Sequence, residues 1–240
     1  MAVFSGPEIV NNGLVLHLDA ANTKSYPGSG TAWNDLNSNS ISFTLNNGPV
    51  YSSNNKGYFN FDGVNDNTVY SSLNSLSNTN IAVSTWIRPI LPSGLNDLET
   101  IVCRFHASNQ PTFRLVYGRF SVNGDTTPIF EIYNNSFKNV ASTVQLTLNM
   151  WVNLVGTYSS TNSGEMRLYV NGNNVETKNT VGSLATYNNT RLYIGSTDTV
   201  LDTSRFYCGA NISNVKIYNR ALTSTEIQQN FNVLRGRYDI

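Results

Sequence analysis

Two carboxylates have a spacing that could serve glycoside hydrolysis. Asp97 and Glu99 are separated by one residue, and on a strand that spacing places both on one face. Hydrolysis with retention needs a nucleophile and an acid/base about 5 to 5.5 Å apart. The pair follows Pro92–Gly94, however, and that sequence is typical of a turn. We therefore expect no hydrolase activity from these two residues.

The other nucleophiles and bases do not combine into a catalytic set. His17 and His106 are the only histidines, and no serine or cysteine triad can be assembled around either. The sequence has no glycine-rich phosphate loop. Its two cysteines, Cys103 and Cys208, are too few for a disulfide framework or a cysteine-only zinc site. We expect two buried thiols, with a single bridge as the alternative.

Short apolar runs separated by Asn-Gly, Asp-Gly and Ser-Gly predict many strands joined by tight turns. Met166–Val170 alternates between apolar and polar residues, which is typical of an antiparallel sheet with one buried face. Asn171-Gly172 predicts a type I′ hairpin turn after this strand, and Asn123-Gly124 predicts another turn. The predicted strands are Leu14–Leu18, Gly57–Phe61, Ile81–Arg88, Thr100–Phe105, Thr112–Val116, Ile129–Tyr133, Trp151–Tyr158, Met166–Val170, Arg191–Ile194 and Ala210–Tyr218.

One helix is predicted after the last strand. Thr223–Glu226 fits a capping box, and Ile227, Phe231 and Leu234 follow with the spacing of one helix face. Gly236 fits the residue that stops a helix. We expect this helix to pack on one end or edge of a sheet sandwich.

Composition excludes several classes of protein. The 240 residues carry no net charge, only 12% of them are charged, and 36 are asparagine. No apolar run reaches the roughly 18 to 20 residues of a membrane span, and no signal peptide is visible at the start. The absence of a basic cluster argues against general nucleic-acid binding. We expect one domain over residues 13–234, with an N-terminal arm (1–12) and a C-terminal arm (235–240).

Six segments, in order, resemble the concanavalin A-like, laminin-G-like jelly rolls of lectins and glucanases. The resemblance implies a domain over about residues 13–234 that is an all-β, two-sheet antiparallel jelly-roll sandwich. The six segments are Phe61–Asp66, Ser84–Pro89, Trp151–Tyr158, Arg167–Gly172, Leu192–Gly195 and Val215–Thr223.

A narrower resemblance covers nearly the whole chain. Gly13–Asn22, Trp33–Leu36 and Asn230–Ile240 are similar to segments of virion proteins of tailed phages. The resemblance implies a virion surface protein that is assembled in the bacterial cytoplasm. It also implies that the protein acts as a homo-oligomer beside other virion proteins. It implies binding to host or environmental glycans, or instead an architectural role as a capsid decoration or fibre protein. The terminal arms would serve the second role.

The resemblance also implies where a sugar would bind, since such sites combine aromatic faces with planar polar groups. Glucanases of this fold alternate three acids along one strand, and here the third position is the apolar Ile101. Trp86 and Trp151 fit the core, whereas Trp33 could cap the sandwich or form an exposed platform. The candidate sugar-binding residues on the middle strands are Arg104, His106, Arg114, Tyr117, Glu131 and Tyr133.

Calcium is the cofactor that the resemblance raises, because many relatives bind it with loop oxygens. Asp62 and Asp66 are the matching acids here. The family often has acids before its last strand, where this chain has Ser213 and Asn214. The alternative is that Asp62 stabilises the turn at Gly63 by an Asx hydrogen bond.

Overall fold

The computed structural model describes residues 8–37, 41–71, 76, 79–90, 98–106, 110–118, 124–161, 164–180, 184, 190–197 and 206–240, with His106 and Gln110 described by their backbone only. These residues form sixteen strands and one α-helix. The elements are β1 (Leu14–Asp19), β2 (Ala32–Asn34), β3 (Ser42–Asn46), β4 (Val50–Ser52), β5 (Tyr58–Asp62), β6 (Asn67–Ser71), β7 (Asn80–Pro89), β8 (Glu99–His106), β9 (Gln110–Tyr117), β10 (Pro128–Tyr133), β11 (Phe137–Ala141), β12 (Val152–Ser159), β13 (Glu165–Val170), β14 (Asn173–Asn179), β15 (Thr190–Ile194), β16 (Gly209–Tyr218) and α1 (Ser224–Leu234).

The strands form two antiparallel sheets that pack as a sandwich, as the jelly-roll resemblance implies. Sheet A has the order β14-β13-β12-β7-β16-β5-β4, and β1 also pairs with β16. Sheet B has the order β11-β10-β9-β8-β15-β6-β3-β2. Each strand alternates, so its inward side chains fill one shared core while its outward side chains form the two outer faces.

Close packing between the sheets depends on a glycine in β12. A Cβ atom on Gly156 would lie 2.3 Å from the Phe130 ring of β10, far inside van der Waals contact. Phe130 is completely buried. The missing side chain on one sheet therefore makes room for a large ring from the other.

All ten predicted strands are present, with ends shifted by one or two residues. The Asn171-Gly172 turn is also confirmed, because both residues have positive φ, at 50° and 78°. Asn123 lies outside the described residues. The Asn171-Gly172 hairpin also implies its second strand, β14, and the sequence missed the remaining five strands because they are short or interrupted by Asn and Ser, which hides the apolar alternation. The missed strands are β2, β3, β4, β6 and β11.

The helix is confirmed, but its end and its location differ from the prediction. Thr223 and Glu226 form the capping box. Gly236 does not stop the helix; it lies inside a 3-10 turn, Arg235–Arg237, that continues it. Ile227 and Phe231 pack on the outer face of sheet A rather than on an end or edge.

The segment predicted as a C-terminal arm packs onto its own domain. Tyr238 is 4% exposed, and its ring stacks on Trp86 with centroids 4.1 Å apart. Nη1 of Arg237 donates to both carboxylate oxygens of Asp19, at 2.8 and 3.0 Å. At the other end of the chain, the backbone of Val10 donates to Asn230 of the helix. We call residues 235–240 the C-terminal tail.

The tail covers a group of charged side chains on sheet A. Lys216 is 1% exposed, and its Nζ donates to the Asn214 amide oxygen at 3.0 Å. Burial lowers the pKa of Lys216 to about 8. His17, opposite Lys216 on β1, has a pKa lowered to about 3, mainly by burial and next by Lys216. Asp19 and Arg237 complete this group, which we call the tail cluster.

Candidate functional site

Three of the predicted sugar-binding residues come together on the outer face of sheet B. Arg114 and Glu131 form an ion pair across β9 and β10, with side chains only 8% and 9% exposed. The Arg114 guanidinium lies 4.9 Å from the centre of the Phe137 ring, and that ring contacts Tyr133 edge-on. The charged groups thus bind each other under aromatic rings. Both side chains are therefore paired and largely enclosed.

The other three predicted residues do not join this group. Tyr117 is completely buried in the core, and its hydroxyl donates to the Gly209 carbonyl at 2.6 Å. Arg104 pairs with Phe113 and Leu192, two core residues, so it points to the inner face at 4% exposure. A register shift on each side of this part of β8 turns Arg104 away from the outer face. The side chain of His106 lies outside the described residues.

In the acidic loop after β5, the carboxylates accept hydrogen bonds from the backbone of the same loop. Asp62 Oδ1 accepts from the backbone N–H of Val64 at 2.8 Å and of Asn65 at 3.2 Å. Asp66 Oδ2 accepts from the backbone N–H of Asp62 at 3.0 Å. This is the Asx arrangement that the sequence offered as the alternative to calcium.

The same loop does not fit a calcium ion. Calcium takes six to eight oxygen ligands, several of them charged. In the described part of the chain, no group of three or more His, Cys, Asp or Glu residues could hold a metal. The N–H groups that point at Asp62 Oδ1 would also face the ion. We therefore assign Asp62 and Asp66 to the turn.

Replacing Asp62 with alanine is expected to destabilise the fold by about 1 to 2 kcal/mol, because it leaves the loop N–H groups without an acceptor. Asp62→Asn keeps an oxygen acceptor and is expected to lose less than half as much. Urea unfolding with and without calcium measures both effects. A calcium-dependent rise in the wild-type unfolding midpoint that Asp62→Ala abolishes would contradict the assignment.

The acidic pair considered for hydrolysis does not form a described site. Asp97 lies outside the described residues. Glu99 is 2% exposed, and its carboxylate accepts from the Gly209 backbone N–H at 2.6 Å. A carboxylate enclosed in this way cannot approach a glycosidic bond.

The tryptophans are all buried, but in different places. Trp33 is completely buried in the core between the sheets, so it is not an exposed platform. Trp86 and Trp151 are buried as predicted. They lie on the outer face of sheet A, beneath the tail, together with Phe231 and Tyr238.

A polar groove that the sequence did not reveal lies on the outer face of sheet A, beside the start of α1. We call it the hydroxyl groove, and its volume is about 420 Å³. Thr157 and Ser159 of β12 are paired across the strands with Arg167 and Glu165 of β13. The lining residues are Asn80, Thr157, Ser159, Thr161, Glu165, Arg167, Arg220, Ala221, Leu222, Thr223 and Ser224.

The charges of the groove are neutralised locally. Arg167 binds Glu165 at 2.8 Å, and Arg220 binds Glu226 at 2.6 Å. The Arg220 guanidinium holds the pKa of Glu226 at about 2. The buried Nε of Arg167 has no hydrogen-bond partner among the described residues. The groove thus offers hydroxyls beside charges that are already paired.

The groove has a weak sequence signal. Thr157 and Ser159, like Glu165 and Arg167, are polar residues two apart on strands whose other face is apolar. That alternation predicts an outward polar face, but it does not predict which segment of the chain packs beside this face. Only the return of the chain at Arg220–Ser224 turns this face into a groove.

Comparisons with solved structures give the same fold at low sequence identity. The receptor binding domain of botulinum neurotoxin type G aligns with a TM-score of 0.65 and 14% identity, over 92% of this chain and 51% of that chain. The binding domain of Paraclostridial Mosquitocidal Protein 1 gives 0.70 and 16%, over 92% and 52%. A Trypanosoma rangeli sialidase in complex with sialic acid gives 0.66 and 17%, over 94% and 34%. The chain thus spans about half of the toxin domains and a third of the sialidase.

Sequence comparison identifies the family. No curated protein sequence matches the chain. The family model of the concanavalin A-like lectin/glucanases superfamily matches residues 61–228, which cover β6 to β16 and the first half of α1. The chain belongs to the concanavalin A-like lectin/glucanase superfamily.

Proposed function

We propose that this protein binds glycans without hydrolysing them, and that the hydroxyl groove is its sugar site. The observation that carries the proposal is the match between the groove and a sugar. Sugars present hydroxyls that both donate and accept, and the groove wall presents hydroxyls of the same kind on Thr157, Ser159, Thr161 and Ser224. Its volume of about 420 Å³ lies in the range of small-molecule sites.

The positions of the groove side chains support specific binding. Thr157 is 3% exposed and Ser159 is 7% exposed, so these hydroxyls form a fixed floor on a central part of the sheet. Ser159 and Thr161 are already hydrogen-bonded at 2.9 Å, which restrains both. Rigid groups of this kind lose little entropy on binding.

The proposal that the protein does not hydrolyse glycans rests on the carboxyl groups near the groove. Glycosidases of the usual type need two carboxyl groups on either side of the scissile bond. Among the described groove residues only Glu165 is acidic, and Arg167 holds its carboxylate. Any sugar in the groove would therefore meet no acid/base pair.

The proposed location is the surface of a tailed-phage particle, where the protein would contact bacterial-surface glycans beside other virion proteins, as a homo-oligomer. Its support is the resemblance of the first and last segments to virion proteins. The architectural alternative depended on free arms. The described parts of those arms, residues 8–12 and the C-terminal tail, pack on their own domain, which favours the glycan-binding role. None of the described helices could cross a membrane.

A glycan panel and whole bacterial cells, with calcium and with chelator, test the function. We expect saturable binding that does not depend on the chelator. Ser224→Trp places a large ring at the exposed rim of the groove and is expected to weaken binding at least tenfold. Thr225→Trp is the matched control, since Thr225 is the next residue along the chain but does not line the groove.

Two outcomes would contradict the proposal. One is the absence of binding to every glycan and cell tested. The other is equal affinity of Ser224→Trp and the wild type, which would remove the groove as the site. Detection of the protein in purified phage particles by mass spectrometry tests the proposed location separately.

A further inference from the structure

A row of three polar side chains crosses the outer face of sheet A next to the tail. Arg88 of β7 pairs with Asn211 of β16, and Asn211 pairs with Asn60 of β5. Asn211 is 1% exposed, whereas Arg88 and Asn60 are partly exposed. The row is separate from the hydroxyl groove, since it shares no lining residue with it.

Asn211 fixes one edge of the Arg88 guanidinium. With its oxygen turned to Arg88, the Asn211 amide accepts from Nη2 at 2.7 Å and from Nε at 2.8 Å. Its nitrogen then faces the Asn60 amide at 2.7 Å. Asn60 can accept from that donor when its own amide is also turned, so that its oxygen faces Asn211, and its nitrogen then remains as a donor.

Aromatic rings support the same guanidinium from behind. It lies 5.7 Å from the centre of the Tyr58 ring and 6.0 Å from that of Trp151. Both rings are 8% exposed, and the Trp151 Nε1 donates to Asn55 at 3.2 Å. Stacking on fixed rings holds an arginine in one orientation.

Arg88 is unlike four other arginines of the protein, which are paired with carboxylates. Arg114, Arg167, Arg220 and Arg237 each bind an acid. Arg88 has no carboxylate partner within the described residues, and Asn211 is its polar contact. Its charge is therefore oriented but not neutralised. In the part of the chain that the structure describes, no hydrogen bond or ion pair occupies the second edge of the guanidinium, formed by Nη1 and Nη2.

We propose that this row is a second subsite, which binds the carboxylate of an acidic glycan. The inference rests on the proposed glycan-binding function and names a ligand class for it. The open edge of Arg88 matches a carboxylate in a two-pronged geometry. The Asn60 amide beside it supplies a donor to the same oxygen atoms or to a neighbouring hydroxyl. We call this the Arg88 subsite.

Polygalacturonate and its fully methyl-esterified form provide the test, because esterification removes only the charge and leaves the sugar chain. We expect the wild type to bind the acidic polymer at least tenfold more tightly than the ester. Arg88→Gln is expected to remove this preference, and Arg88→Lys to retain only part of it because lysine lacks the two-pronged edge. Isothermal titration calorimetry at two salt concentrations measures the affinities.

Two further variants separate binding from folding and from net charge. Asn60→Asp keeps the shape of the side chain and places a carboxylate beside Arg88, so it is expected to abolish the preference for the acidic polymer. Arg235→Gln removes an exposed arginine elsewhere and is expected to change nothing. Thermal unfolding of each variant checks that it is folded.

The outcomes distinguish this subsite from the proposed function. Equal affinity of the wild type for the two polymers, or no affinity for either, overturns the Arg88 subsite. Neither result affects the glycan panel and the Ser224→Trp comparison, which test the hydroxyl groove. If Arg235→Gln weakens the preference for the acidic polymer as much as Arg88→Gln does, the preference reflects only the net charge of the protein. That result would also overturn the subsite.

Discussion

Tyr238→Ala is expected to lower the free energy of unfolding by about 4 kcal/mol, the cost of deleting a large buried aromatic side chain. Tyr238 stacks on Trp86 at 4.1 Å and contacts Trp151 at 4.8 Å. Its hydroxyl accepts from the Asn214 amide at 2.9 Å. Removing the ring leaves a cavity between two tryptophans and opens the tail cluster to water.

Two variants divide this effect into its parts. Tyr238→Phe keeps the ring and is expected to cost about 1 kcal/mol, the contribution of one hydrogen bond. Ile240→Ala changes the same tail at a position that is 41% exposed and is expected to cost less than about 1 kcal/mol. Denaturant unfolding followed by tryptophan fluorescence measures all three. A loss below 1 kcal/mol for Tyr238→Ala would show that the tail does not stabilise the fold.

Stability is expected to fall as the pH is lowered below 6.5, because of His17. Burial and the nearby charges of Lys216 and Arg237 lower the pKa of His17 from 6.5 to about 3 in the folded protein. Between these values the unfolded chain binds a proton that the folded protein does not. The proton therefore favours unfolding, by about 1.4 kcal/mol for each pH unit in this window.

His17→Gln provides the comparison, since glutamine does not titrate. The backbone N–H of His17, which donates to Asp35 at 2.7 Å, is unaffected by the change. Between pH 6.5 and pH 5 the wild type is expected to lose about 2 kcal/mol more than the variant. The difference between the two proteins cancels the titration of other acids. Parallel pH profiles of the two unfolding free energies would refute the role of His17.

The sequence predicted the strands well wherever their pattern was local. Met166–Val170 and the Asn171-Gly172 turn needed only alternation and a pair of residues that tolerate positive φ. The capping box at Thr223 was equally local. The five missed strands are different, because each is only three to five residues long and shows little alternation of its own, and some of them pair with strands far along the chain. β6, for example, pairs with β3 and β15.

The candidate site depended on register, which alternation alone does not provide. Arg104 was expected outside, but shifts in the pairing of β8 with β9 turn it inward. Arg114 and Glu131, both candidates for the sugar site, lie together because β9 and β10 pair without a register shift. The Arg88 subsite joins residues from β5, β7 and β16. No reading of one strand could have indicated it.

The order of strands in sheet A has a consequence for how the protein is made. β16 lies between β7 on one side and β1 and β5 on the other. A nascent chain on the ribosome therefore cannot complete this sheet before residue 218 has emerged, nor close the tail over Trp86 before residue 238. Until then, the edges of β1, β5 and β7 that pair with β16 remain unpaired, and they can pair with strands of other chains. We expect sheet A to be completed late, only after β16 has emerged and paired with β1, β5 and β7.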